Sequence, residues 1–128
     1  MSMSELDIST DSAGKISFPD CPIMHFRAGR RLIQFVAQGV HVDGVGFANN
    51  FYAVRCASND AISCRRYSDD MWHPLSPDDA GTLREICEWA VESRTLVFAG
   101  FEAHSGQWQE YTVPAFSLTG SVEEARPS

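Results

Sequence analysis

Ser76-Pro77-Asp78-Asp79 precedes a run of apolar residues at spacings of three and four, and no other stretch constrains this chain as strongly. Ser76 is suited to an N-cap, where its hydroxyl would accept a hydrogen bond from an orphan backbone N–H. Pro77 then falls at the first helical position, where its missing N–H costs nothing. Asp78 and Asp79 place negative charge where a helix dipole favours it. Leu83, Ile86, Cys87, Ala90 and Val91 repeat at the spacing of one buried helical face. The pattern predicts an amphipathic helix over about 77–92, with Cys87 as a small core residue.

On that helix Asp78, Glu85, Glu88 and Glu92 would form a ridge opposite the apolar stripe, with Trp89 beside it. None of these acids has a Lys or Arg four residues later, so local helix pairing does not explain them. Gly81 on the same ridge costs ~1 kcal/mol relative to Ala. Asp78, Glu85, Glu88, Trp89 and Glu92 are therefore the candidate partner-binding residues.

Outside this segment the chain reads as short strands. Ile33, Phe35 and Ala37 alternate with Gln34 and Gln38, and Val40 and Val42 alternate with His41 and Asp43. Ala28-Gly29 marks a tight turn before this strand. The segments 51–57 and 61–67 look like a hairpin closed by Ser58-Asn59-Asp60, and Ser68 to Pro74 like a connection into the helix. The segments 95–103 and 107–116 form a second hairpin with Ser105-Gly106 at its tip. Its register would put Leu96, Phe98, Tyr111 and Val113 on the core face and turn Phe101 outward.

The expectation is an α+β fold: a mostly antiparallel sheet of about six short strands with one helix on one face, in the order β-β-β-β-β-α-β-β. Polar residues 1–14 and 117–128 are expected as disordered tails around a single domain of residues 15–116.

A net charge of −7 over 128 residues argues against non-specific nucleic-acid binding. The charge is uneven, because residues 15–67 carry seven bases against three acids and residues 68–116 nine acids against two bases. No apolar run approaches the ~18 residues of a spanning helix. The polar start MSMSELDIST lacks the apolar core of a signal peptide, so a cytoplasmic protein with no membrane partner and reduced thiols is expected. One Lys against nine Arg points to a GC-rich, bacterial origin.

Motifs of known chemistry are missing. There is no CxxC pair for zinc, no HExxH, no GxSxG and no glycine-rich phosphate loop, so no metal or cofactor is expected. His41 and Asp43 alternate onto one strand face and form a candidate acid–base pair. A Cys–His pair is a further candidate, and Cys56 and Cys64 could bridge across the expected hairpin. The leading expectation is a non-enzymatic module that binds a protein with a basic surface, such as a toxin-immunity protein or a secretion chaperone. A small enzyme built on His41/Asp43 or a cysteine is one alternative. The other is a small-ligand carrier with its pocket between sheet and helix.

Overall fold

Period-two alternation of apolar residues governs almost the entire chain. In the computed structural model, which describes residues 8–122, it produces eleven strands and no helix beyond two three-residue 3-10 turns, Ala13–Lys15 and Pro77–Asp79. The strands are β1 (Ile8–Ser9), β2 (Ile16–Ser17), β3 (Ile23–Ala28), β4 (Leu32–Val42), β5 (Gly46–Ser58) and β6 (Ser63–Ser68). They continue as β7 (Met71–Leu75), β8 (Glu88–Glu92), β9 (Thr95–Phe101), β10 (Trp108–Val113) and β11 (Phe116–Val122). Sheet A has the order β1-β11-β5-β4-β2, with β3 also paired to β4. Sheet B has the order β7-β6-β10-β9-β8, and every pairing in both sheets is antiparallel.

The expected α+β class is thus overturned, since the fold is nearly all β and the helix over about 77–92 does not form. Pro77 and the two aspartates make only a single 3-10 turn, and Gly81 follows with φ +78°, which ends any helical course. Residues 83–87 then run along the edge of β9. Leu83 bridges to Glu102, the Arg84 N–H donates to Phe101 O, and the Cys87 N–H donates to Ala99 O. The segment arches over Gly100 so closely that a Cβ there would lie 1.9 Å from the carbonyl oxygen of Glu85. Beyond the arch the chain pairs regularly as β8 and turns into β9 through Ser93-Arg94, both at positive φ. Leu83 and Ile86 are buried as the helical stripe required, but as anchors of an irregular edge, and Cys87 is exposed.

A buried polar network holds this edge in place. The carbonyl of Ala80 accepts from Gln109 Nε2 at 2.9 Å and from an Arg66 guanidinium nitrogen at 3.0 Å. Arg66 Nε also donates to Gln109 Oε1 at 2.7 Å, and Gln109 Nε2 to the Tyr111 hydroxyl at 3.0 Å. Each net hydrogen bond contributes about 1 kcal/mol, but removing one partner would strand a buried polar atom at greater cost.

Ser58-Asn59-Asp60 does not close a hairpin. β5 and β6 belong to different sheets and follow one another along a bent path, while β10 and β11 run back beside them. The Ser58↔Phe116 pair of sheet A is succeeded across the bend by Ser63↔Thr112 of sheet B. One two-stranded ribbon therefore changes sheets at residues 59–62 and 114–115, the way orthogonally packed sheets make a corner. The Ser58 hydroxyl donates to Pro114 O across this corner, and the Ser58 and Ile62 N–H groups donate to Arg31 O and Arg30 O. Ser68 to Pro74 forms the β6–β7 hairpin instead of a connection into a helix.

The stretches expected as tails take part in sheet A where they are described. Ile8 pairs with Gly120 and Ser9 with Thr119, and β11 continues to Val122 against Tyr52. The remainder of both expected tails lies outside the described residues.

The two sheets meet through aromatic rings. Trp89, Phe98 and Tyr111 stack along the inner face of sheet B, with ring centroids 5.6 Å and 5.1 Å apart. Phe26 reaches across to Phe98 and Tyr111, and Phe18 joins Phe35 to Trp89. Leu96, Phe98, Tyr111 and Val113 share the buried face, as expected of their hairpin, although its loop is two residues longer than Ser105-Gly106 alone. Full burial of each such side chain contributes roughly 1.5–3 kcal/mol.

Candidate binding face

The structure separates the residues that a helical ridge would have joined. Trp89 points inward, where it donates from Nε1 to Ala13 O at 2.9 Å and packs on Phe18 and Phe98. Glu88 and Glu92 point outward from β8, four residues apart with Ala90 between them on that face. Glu85 sits in the arch beside Arg84, at 3.7 Å. Asp78 lies in the 3-10 turn, near Gly29 of the β3–β4 turn. Glu88 and Glu92 remain on one face, while Asp78 and Glu85 belong to the segment that leads to it. Charge on an exposed edge strand also blocks strand addition by another chain, which gives these glutamates a structural role.

Neither expected catalytic pair forms an enclosed site. His41 and Asp43 approach to 3.9 Å at the turn of the β4–β5 hairpin, with side chains 41% and 73% exposed. All four cysteines are free, and Cys56 faces Ile33 and Leu118 in sheet A while Cys64 faces Tyr111 and Leu75 in sheet B. Burial pushes the Cys56 thiol up to about 12 and those of Cys21 and Cys64 up to about 11. Burial and the neighbouring acids also raise Cys87. Such thiols hold their protons at neutral pH and are weak nucleophiles. Among the described residues, no group of three His, Cys, Asp or Glu side chains is placed to hold a metal ion. With no helix present, the pocket proposed between sheet and helix does not exist.

What the topology does assemble is a row of aromatic side chains on the outer face of sheet B. Trp72 of β7 stands opposite Tyr67 of β6, Tyr67 opposite Trp108 of β10, and Trp108 opposite Phe101 of β9. The rings touch edge to face at both ends of the row, with centroids 5.3 Å apart for Tyr67–Trp72 and 5.1 Å for Phe101–Trp108. Four strands at the usual spacing make the row ~14 Å long. Each end carries a guanidinium. Arg65 Cζ lies 3.9 Å from the centre of the Trp72 ring, and Arg84 Cζ 5.8 Å from that of Phe101. Arg65 is fixed from the other side by Glu110, at 2.8 Å.

Tyr67 and Trp72 are 41% and 36% exposed, and Trp108 and Phe101 are half-buried. Acids flank the row on both sides. Asp69-Asp70 form the turn beyond Tyr67 and Trp72, and Glu110 and Glu88 occupy the next cross-strand row.

The β9–β10 loop at the margin is organised by Glu102. Burial raises its pKa, but N–H donation from His104 and Ser105 to the carboxylate outweighs this and holds it down at about 2. Comparison with protein families, curated proteins and solved structures gives no match to this chain. Among the described residues, no helix is long and apolar enough to cross a membrane.

Trp72 and Phe101 can each be read locally, one as a residue next to Pro74 and the other as outward-facing. Their union depends on the registers of three strand pairs, one of them (β6–β10) between distant segments, and no local signal in the chain announces that pairing.

Proposed function

We propose that the chain is a cytoplasmic, non-enzymatic protein-binding module that presents the outer face of sheet B to a protein with a basic surface. The observation that carries this reading is the uncovered row Trp72–Tyr67–Trp108–Phe101 with an arginine over each end. Trp, Tyr and Arg supply most binding energy at protein interfaces, because large rigid rings bury much area at little entropic cost. The surrounding acids, Asp69, Asp70, Glu88 and Glu92, would form a polar rim. A rim of one sign speeds association with a partner of the other and excludes partners of like charge. An immunity protein for a basic toxin is the most concrete form of this function.

The test is capture by immobilised protein, with the captured chain identified and then titrated. Trp72→Ala/Trp108→Ala should weaken binding by about 100-fold. Glu88→Lys/Glu92→Lys should slow association and flatten its salt dependence. Circular dichroism would check that both variants keep the fold. A partner retained equally by wild type and both variants would refute the proposal.

A further inference from the structure

The opposite side of the molecule carries a second feature that the aromatic row does not explain. A depression of about 680 Å³ opens on the outer face of sheet A, within the ~300–1,000 Å³ range of small-molecule sites. One cross-strand row lines it: Arg27 of β3 faces Gln34 of β4, Gln34 faces Arg55 of β5, and Arg55 faces Thr119 of β11. The two arginines stand on either side of Gln34, ~10 Å apart by strand spacing, so both guanidinium forks can close over the space above it. Val36 and Ala53 from the adjoining row add an apolar wall.

Three details distinguish this row from arginines that merely solvate a sheet. First, no carboxylate lines the depression, and neither Arg27 nor Arg55 makes an ion pair or side-chain hydrogen bond among the described residues. Arg65, by contrast, has both Glu110 and Trp72. Second, the two like charges stand about one Debye length (~10 Å at 0.1 M salt) apart, so an anion seated between them interacts favourably with both. Third, β3 is bulged between Met24 and Arg27, with His25 at φ +55°, and His25 lines the same depression. Bulges of this kind re-aim side chains, and here the extra residue brings both His25 and Arg27 to the rim.

From this geometry we infer that the outer face of sheet A is a binding site for a small organic anion. Its carboxylate or phosphate head is gripped by Arg27 and Arg55, oriented by Gln34 and Thr119, and its apolar body rests on Val36 and Ala53. Guanidinium forks match the planar, two-oxygen geometry of both head groups. This site is independent of the proposed protein-binding face, and either can fail without the other.

The experiment is an amide-shift titration of the full chain with inorganic phosphate, benzoate, hexyl phosphate and, as a control of opposite charge, hexylammonium, each to about 10 mM, where a millimolar Kd is readily seen. At least one anion should shift the amides of Gln34, Arg55 and Thr119, and hexylammonium should not. Benzoate binding without phosphate binding would assign a carboxylate ligand. Tighter binding of hexyl phosphate than of benzoate would assign a phosphate ester. Arg27→Gln and Arg55→Gln should each weaken binding about tenfold, with Arg55→Lys losing less, and all three should leave the remaining amide shifts in place. Absence of any anion-specific shift at these residues, or equal affinity in the wild type and both Gln variants, would overturn the inference.

Discussion

Sheets A and B share one core and differ on the outside. The residues that build sheet A, 8–58 and 116–122, carry five bases against three acids, while those of sheet B, 63–113, carry nine acids against four bases. The uneven charge along the sequence becomes an uneven charge in space because the chain leaves sheet A once, at the corner after Ser58, and returns once, after Val113. A sequence block therefore equals a sheet. The outer surfaces differ in kind as well. Sheet A offers a depression whose two arginines have no ion-pair partner among the described residues, and sheet B an apolar row whose arginines already lie over rings.

The largest test breaks both halves together. Phe98 stacks on Tyr111 and Trp89 and meets Phe26 from the other sheet, so Phe98→Ala should cost about 3–5 kcal/mol. The three tryptophans, Trp72, Trp89 and Trp108, all lie in sheet B. Their fluorescence and far-ultraviolet dichroism should therefore lose signal at the same urea concentration if the sheets unfold as one unit. Separate transitions would show two units.

Gly100→Ala should act on sheet B alone. Its Cβ would collide with the backbone of Glu85 and push the arch off β9, at a cost of about 3 kcal/mol. Hydrogen exchange should then quicken at Arg84 and Cys87 N–H and stay slow in β4 and β5. Unchanged protection at Cys87 would contradict the close approach described above.

A smaller effect, about 2 kcal/mol, is expected from Glu102→Gln, which weakens the charged hydrogen bonds of the β9–β10 loop. Because its folded-state pKa lies below the ordinary 4.5, Glu102 favours the folded state at neutral pH, and that contribution is lost as pH falls from about 4.5 to about 2. Wild-type stability should drop through this window more steeply than that of Glu102→Gln. Parallel curves would remove the role assigned to this carboxylate.

How much of this could be read from the chain varies by segment. Strands β4 and β10 are legible because apolar and polar residues largely alternate within them, and the β9–β10 core face follows from the parity of the hairpin although β9 is apolar on both faces. The false helix arose where two periods coincide. Leu83, Ile86, Ala90 and Val91 satisfy a helical stripe, yet Trp89 and Val91 also alternate with Glu88, Ala90 and Glu92 as a strand requires. The choice was made elsewhere, by Gly100 giving room for the arch and by the Ala80 carbonyl held from Arg66 and Gln109. Ser93-Arg94 at positive φ has none of the Asn or Gly residues that announce a hairpin loop. Ser58-Asn59-Asp60 carries turn chemistry without saying whether the chain reverses or bends. Of the candidate site, the outward glutamates of β8 were visible in the sequence, whereas the aromatic row and the arginine pair exist only once strands from distant segments are aligned.

The corner at residues 59–62 also sets an order of events at the ribosome. β3, β4 and β5 are made before sheet B and can pair locally, but the second edge of β5 has no partner until β11 has been made, after all of sheet B. For that interval the nascent chain presents a long strand with free N–H and C=O groups, the state in which β proteins most readily join the wrong neighbour. Sheet B, whose residues are contiguous, can complete itself in the meantime. A strand made after the whole of sheet B would then close a sheet that had begun folding before it.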